Sequence, residues 1–154
     1  MRVLVFLLLI TACRIEKRGA PGTEPDTEVQ IGGQTAGDSI VVEINAPRAA
    51  AVGDSVPIDV VVYNNRERKI DLNLTGRQIV FDIVIARADS TIIWQRLRNA
   101  VIQPILQIKP LDPGESFTLS ARWLASEAGD LTIGAELPTD TKPLQAKPVR
   151  LTIR

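Results

Sequence analysis

The sequence predicts an all-β fold, an immunoglobulin-like antiparallel β-sandwich of about eight or nine strands. From residue 39 onward, apolar residues recur with a period of two, which is typical of strands that bury one face. Turn-forming residues separate these runs, and 10 glycines and 10 prolines favour turns over long helices. We therefore assign residues 39–154 to one sandwich domain.

The individual strands follow from runs with one apolar face and one mostly polar face. In chain order these runs begin at Ile40, Ile58, Ile70, Phe81, Ile92, Phe117, Leu131 and Val149. The segment Val101–Ile108 contains Pro104, which has no backbone donor, so we expect an edge strand or an irregular crossover there. The turn Asp112–Glu115 contains Pro113-Gly114, the pair that a type II turn requires.

The two tryptophans are expected to join the sheets of this sandwich. The only cysteine is Cys13, so no intrachain disulfide can link one sheet to the other. Trp94 and Trp123 each lie on the apolar face of a predicted strand, and each can bury on the order of 200 Å². We therefore expect both side chains between the sheets.

Composition excludes several classes of function. The 154 residues include no histidine and one cysteine, so neither a Ser-His-Asp triad nor an ordinary zinc site can form. The 18 basic and 18 acidic residues give a net charge of zero, whereas nucleic-acid binding needs a basic surplus. We expect no catalytic residues, no cofactor, no metal site and no nucleic-acid partner.

The first 13 residues predict a signal and a lipid anchor. Val3–Ile10 is an apolar run of eight residues, and about 20 are needed to span a bilayer, so it fits the core of a signal peptide over residues 1–12. Ile10-Thr11-Ala12-Cys13 resembles a bacterial lipobox, which implies cleavage before Cys13 and lipid attachment to it. The alternative is a buried strand with a chance cysteine. The resemblance implies a membrane-anchored lipoprotein of the cell envelope, on the outer membrane or the periplasmic face if the host has two membranes.

A polar segment follows the predicted lipid attachment site. Half of the chain's glycines fall between Arg14 and Asp38, where large apolar side chains are nearly absent. We predict a lipidated cysteine and flexible tether over residues 13–38, which would hold the domain roughly 25–30 Å from the membrane surface.

The middle of the domain resembles a known family. The matching pieces, in order, are Val62-Tyr63-Asn64-Asn65, Thr75–Asp82, Ile92-Ile93-Trp94, Val101-Ile102-Gln103, Pro113-Gly114-Glu115 and Ala128–Thr132. Their order and spacing resemble the BsuPI family of bacterial proteinase inhibitors, over about Ser55–Leu137. The sequence departs from the family pattern at Arg77, Ser90, Val101 and Leu131. The resemblance implies a non-catalytic domain that binds a protein partner, a subtilisin-type serine protease.

Three loops are candidates for contacting such a partner. A substrate-like inhibitor needs an exposed loop that the scaffold holds extended. Gln95–Asn99 offers Arg96, Leu97 and Arg98, Leu124–Glu127 offers Leu124, Ala125 and Ser126, and Pro138–Pro143 is bounded by prolines. For each loop the alternative is an ordinary solvated connection. For the whole chain the alternative is an interaction or assembly module of the cell envelope without inhibitory activity.

Overall fold

The computed structural model describes residues 29–32 and 40–154, which contain twelve strands and no helix. The strands are β1 Val29–Gly32, β2 Ile40–Pro47, β3 Ala49–Ala50, β4 Ser55–Asn64, β5 Ile70–Thr75, β6 Asp82–Arg87, β7 Ile92–Gln95, β8 Leu106–Leu111, β9 Ser116–Leu124, β10 Gly129–Leu137, β11 Leu144–Gln145 and β12 Val149–Ile153. Ten strands remain when the two-residue β3 and β11 are set aside, and nine of these lie within the predicted domain 39–154, which agrees with the eight or nine predicted there.

Two main sheets and a two-stranded ribbon make up the domain. One sheet has the order β1-β2-β4-β9, and the other has the order β3-β12-β10-β6-β7 with β11 beside β10. The ribbon pairs β5 with β8. Neighbouring strands are antiparallel throughout, except that β3 pairs with β12 in parallel.

Alternate residues of both sheets meet in one hydrophobic core. On β4 the buried positions are Val56, Ile58, Val60 and Val62, and on β10 they are Leu131, Ile133, Ala135 and Leu137. These side chains belong to a single core cluster, which also includes Leu72, Leu74 and Leu111 of the ribbon. Each large aliphatic side chain buried in this way stabilises the fold by about 1.5–3 kcal/mol. The fold is therefore the immunoglobulin-like β-sandwich that the sequence predicts.

One of the two tryptophans and the turn at Gly114 have the structure that the sequence predicts. Trp123 is buried in the core, whereas Trp94 is half-buried and packs against its margin. Gly114 has a φ of 75°, and the Glu115 N–H donates to the Asp112 carbonyl at 3.0 Å, which confirms the predicted turn.

A strand lies before the predicted domain boundary at residue 39. Strand β1 pairs antiparallel with β2, from Val29 opposite Pro47 to Gly32 opposite Ile44. These four residues lie within the range 13–38 that was predicted to be a tether, and for them that prediction is corrected. Val29 and Ile31 alternate with polar Gln30, but the glycines that follow hide so short a pattern. The predicted signal, Cys13 and the rest of the predicted tether lie outside the described residues.

Candidate protein-binding surface

The first predicted loop is folded as successive turns. The Ala100 N–H donates to the Leu97 carbonyl at 3.0 Å, and Leu97 is half-buried. The Arg96 guanidinium donates to the Phe81 carbonyl at 2.6 Å and lies 3.9 Å above the centre of the Phe81 ring. Arg96 and Arg98 are both exposed, and the Arg98 guanidinium donates to the Ile92 carbonyl at 3.5 Å. This segment lacks the extended conformation of a substrate-like loop.

The second predicted loop continues from the end of β9 and presents only part of its residues. Leu124 and Ser126 are exposed, but Ala125 is buried with 1% of its surface accessible. Its N–H donates to the Asp54 carbonyl at 2.9 Å, and its carbonyl accepts from the Gly53 N–H at 2.8 Å. The prediction that Ala125 contacts a partner is therefore corrected, because its side chain packs into the core.

Glu127, which ends this loop, is committed to an ion pair. Arg87 donates Nε to Glu127 Oε1 at 2.7 Å and Nη2 to Oε2 at 2.6 Å. This bidentate hydrogen bond raises the pKa of Arg87 and lowers the pKa of Glu127, and the attraction between the charges acts in the same direction. The pair joins the end of β6 to the connection between β9 and β10.

The third predicted loop, Pro138–Pro143, is held against β5. Thr139 Oγ1 donates to the Lys142 carbonyl at 2.8 Å, and Thr139 forms a β-bridge to the ribbon. Asn73 Nδ2 of β5 donates to Asp140 Oδ2 at 2.7 Å. The loop is thus part of the ribbon's packing.

The structure also presents a surface that the sequence did not rank as a candidate. Within residues 101–108, five aliphatic side chains are exposed, and we call them the apolar surface: Val101 (94%), Ile102 (40%), Ile105 (41%), Leu106 (62%) and Ile108 (59%). Single exposed aliphatic residues are common, whereas a contiguous group marks an interaction site. Two of the five belong to β8, and the other three belong to the irregular segment before it.

The register of the ribbon explains why these residues face outward. Leu72 and Leu74 of β5 are buried, and their cross-strand partners are Lys109 and Gln107. Because side chains alternate along a strand, Leu106 and Ile108 must then lie on the outer face. β8 thus has Leu106 and Ile108 outside and its polar residues half-buried, whereas Leu111 at its end is buried.

The backbone of β8 has one open edge. Within the described residues β8 pairs with β5 alone. The Gly76 N–H donates to the Ile105 carbonyl at 2.7 Å, which places residue 105 among the positions that bond toward β5. Hydrogen-bonded positions alternate along an antiparallel strand, so the N–H and C=O groups of Leu106 and Ile108 point away from β5. Pro110, which has no N–H, falls at an outward position as this pattern requires.

Basic side chains lie beside one end of the apolar surface. The sequence has no acidic residue from Ser90 to Leu111 and none from Leu72 to Phe81. Arg77 and Arg96 line one shallow cleft together with Val101 and Ile102. The ion pairs found within residues 40–154 are Arg87–Glu127 and Lys69–Asp112, and neither involves the arginines at positions 77, 96 or 98.

Asn64 fixes the ribbon to the sandwich. This residue is fully buried at the end of β4. Its Nδ2 donates to the carbonyls of Arg68 at 3.0 Å, Leu111 at 3.0 Å and Asp112 at 3.1 Å, and its Oδ1 accepts from the Arg66 N–H at 2.9 Å. Asn64 therefore holds both the chain that enters β5 and the chain that leaves β8.

A groove on the outer face of the larger sheet contains two carboxylates. Asp82 of β6 lies directly opposite Glu136 of β10. Gln95 Nε2 donates to Asp82 Oδ2 at 2.6 Å, and Gln145 Nε2 donates to Glu136 Oε2 at 2.8 Å. Residues 40–154 bring no three histidine, cysteine or carboxylate side chains together in a way that could hold a metal ion. The described chain also has no helix long and apolar enough to cross a lipid bilayer.

Comparisons with known proteins support no further assignment. No family model and no curated protein match the chain. Among solved structures, the CARDB domain of a Pyrococcus furiosus protein, determined in complex with di-metal ions, has a TM-score of 0.45 at 14% identity, and the match covers 75% of this chain and 87% of that one. A β-glucosidase from Listeria innocua has a TM-score of 0.41 at 9% identity over 82% of this chain and only 16% of the enzyme. A β-glucuronidase from Bacteroides uniformis has a TM-score of 0.36 at 14% identity over 71% of this chain and 12% of the enzyme.

Proposed function

We propose that the chain is a non-catalytic protein-binding domain that a lipid on Cys13 attaches to a membrane of the cell envelope. The observation that carries the proposal is the apolar surface beside the open edge of β8. Leaving five aliphatic side chains in water forgoes their burial, which is worth on the order of 1 kcal/mol or more for each side chain. A protein partner that covers them recovers this free energy.

A serine protease of the subtilisin type is the partner that the resemblance to the BsuPI family supports. The alternative partner is a component of the cell envelope, bound without any inhibition. A specific observation favours this alternative: none of the three predicted loops is a free extended segment, since the first is folded as turns, the second buries Ala125 and the third is bonded to β5. A protease bound at β8 would be blocked by the bulk of the domain, without a loop in its cleft.

Titration with proteases separates the two partners. Residues 29–154 contain every described strand and the whole described core, so this range is the unit to purify. Stoichiometric loss of subtilisin or trypsin activity supports the inhibitor, and cleavage without inhibition favours the envelope module. A variant with Val101→Ser, Leu106→Ser and Ile108→Ser should lose inhibition, whereas Leu124→Ser is the matched control on the second loop and should keep it.

The lipid anchor has its own test. Cys13 is the only cysteine of the chain, so no other thiol can carry the palmitate label in a metabolic labelling experiment. Cys13→Ser in the full chain should abolish both the label and membrane sedimentation. Persistent labelling of the variant would refute the lipobox prediction and leave the protein-binding proposal in place.

A further inference from the structure

We infer that the open edge of β8 takes a short extended segment of the partner, which pairs with β8 as an added strand and carries aliphatic and acidic side chains. The inference rests on the proposed protein-binding function and specifies how the partner binds. An exposed strand edge is a template for another chain, because its backbone groups supply affinity and its side chains supply specificity.

Two prolines set the length of the paired segment. Pro104 and Pro110 have no backbone N–H, so between them only Leu106 and Ile108 direct donors toward the open edge. The five residues 105–109 extend over roughly 17 Å at the rise of a strand. The partner therefore contributes about five residues to the pairing, with two main-chain acceptors for these donors.

Side chains along the edge define the partner's chemistry. Leu106 and Ile108 stand on the outer face of the ribbon, and cross-strand neighbours on that face lie about 4.5–5.5 Å away. Aliphatic residues at alternate positions of the partner would cover them. On the other side of β8 the same face carries Asp71, Asn73 and Thr75 of β5, and Asn73 donates to Asp140.

Charge favours an acidic partner. Arg77 and Arg96 have no ion-pair partner among residues 40–154, and they line the cleft at the end of the edge where Val101 begins the apolar surface. Asp140 accepts a hydrogen bond from Asn73, the cross-strand neighbour of Ile108, and Asp71 lies opposite Pro110, so these carboxylates lie toward the middle and the Pro110 end of the ribbon. The segment 105–109 itself has no carboxylate, and the oligomeric state measured below distinguishes a second copy of this chain from an acidic partner.

Two labelled peptides test the side-chain chemistry. Both have seven residues and alternate valine with a charged residue, glutamate in one and lysine in the other. Fluorescence anisotropy with residues 29–154 should show saturable binding of the glutamate peptide, about tenfold tighter than the lysine peptide, a ratio that corresponds to about 1.4 kcal/mol. Added salt should reduce this ratio.

Two substitutions at one position test the backbone pairing. Ile108→Pro removes an outward N–H and a side chain, whereas Ile108→Ala removes the side chain alone. If the partner pairs with the edge, Ile108→Pro should weaken binding of the glutamate peptide at least about tenfold more than Ile108→Ala does. Leu106→Pro and Leu106→Ala form a second pair, and circular dichroism verifies that each variant folds.

Three outcomes would overturn the inference. They are equal or undetectable binding of the two peptides, equal effects of proline and alanine, and a concentration-dependent dimer in sedimentation velocity that Ile108→Pro abolishes. None of these outcomes contradicts the proposed function. That function is tested separately, by whether the triple serine variant of the apolar surface loses binding to its protein partner. Conversely, if the peptides pair with β8 but the triple serine variant still binds its protease or envelope partner normally, only the proposed function is contradicted.

Discussion

Asn64 gives the sharpest prediction about stability. Its amide is fully buried, donates to three carbonyls and accepts from one N–H. The Asn64→Ala substitution leaves these groups without partners, the Leu111 carbonyl in a buried site and the other three groups in partly buried ones. Two donated protons and one accepted proton, at about 1 kcal/mol each, together with the space left by the amide, give a loss of about 4 kcal/mol. For a domain of this size that loss lowers Tm by roughly 15 °C.

The Asn64→Asp substitution adds a dependence on pH. A carboxylate would keep an acceptor for the Arg66 N–H but would place negative charge about 3.0 Å from the carbonyls of Arg68 and Leu111. Burial and these carbonyls disfavour the charged form, so the pKa of the new carboxyl is raised in the folded state. Between the unfolded pKa, about 3.9, and the raised folded pKa the folded state binds more protons, so the variant's stability falls as pH rises through that interval.

The assay is chemical denaturation of residues 29–154 over a range of pH, with Asn65 as the control position. Asn65 is the next residue and is exposed, so Asn65→Ala should change the free energy of unfolding by no more than about 0.5 kcal/mol. A loss below about 1 kcal/mol for Asn64→Ala would refute the hydrogen-bond argument, because each bond is expected to contribute that much alone. Equal losses for Asn64→Asp at acid and neutral pH would refute the electrostatic argument.

Three further changes have defined outcomes. Gly76→Ala forces a residue with a φ of +99° to carry a Cβ only 2.5 Å from a neighbouring methyl group. Thermal denaturation should therefore show a free energy of unfolding lower by about 3 kcal/mol, and an unchanged Tm would contradict that geometry. Gln107→Pro removes an N–H that bonds to β5, so it should lower Tm much more than Ile108→Pro does, and the reverse order would show that the open edge has been misassigned. Glu127→Gln breaks the exposed ion pair with Arg87 and should cause a small loss of stability, which added salt reduces. Because the pKa of Glu127 is lowered in the folded state, the ion pair stabilises the fold above the unfolded pKa, and this stabilisation disappears as pH falls through the folded pKa. A loss of stability that persists in acid would contradict this reasoning.

The sandwich could be predicted from the sequence because burial and sequence period agree in most strands. In β4 and β10 every second residue is apolar and every second residue is buried, so the pattern alone identifies the inner face. The turn at Gly114 was equally predictable, because only glycine adopts its positive φ readily. β1 was not predicted, since a four-residue alternation beside glycines is too short to distinguish from a polar linker.

The apolar surface could not be predicted because it violates that same rule. In Leu106–Leu111 the pattern suggests that Leu106 and Ile108 face the core, whereas the structure buries Leu111 and turns the other two outward. The period of two still identifies a strand, but it does not say which face is inside. That choice depends on pairing with β5, a contact between residues more than 30 positions apart. Asn64, likewise, has the sequence of a turn residue and becomes a buried hydrogen-bonding centre only through contacts with residues 111 and 112.

The register of β8 is therefore a balance between terms of similar size, and Asn64 connects stability to binding. A slip of one residue would bury Leu106 and Ile108, a gain of about 3–6 kcal/mol, but it would expose Leu111, a loss of about 1.5–3 kcal/mol. The slip would also break the bonds from Asn64 to the carbonyls at the end of β8, which removes about 2–3 kcal/mol more. These terms nearly cancel, and the slip would also turn Pro110, which has no N–H, toward β5, so Asn64 and Pro110 together keep the observed register, which leaves the apolar surface exposed. Asn64→Ala should then weaken peptide binding in the fraction that remains folded, whereas Gly76→Ala, if it leaves the register unchanged, should lower stability with little effect on the affinity of the folded fraction.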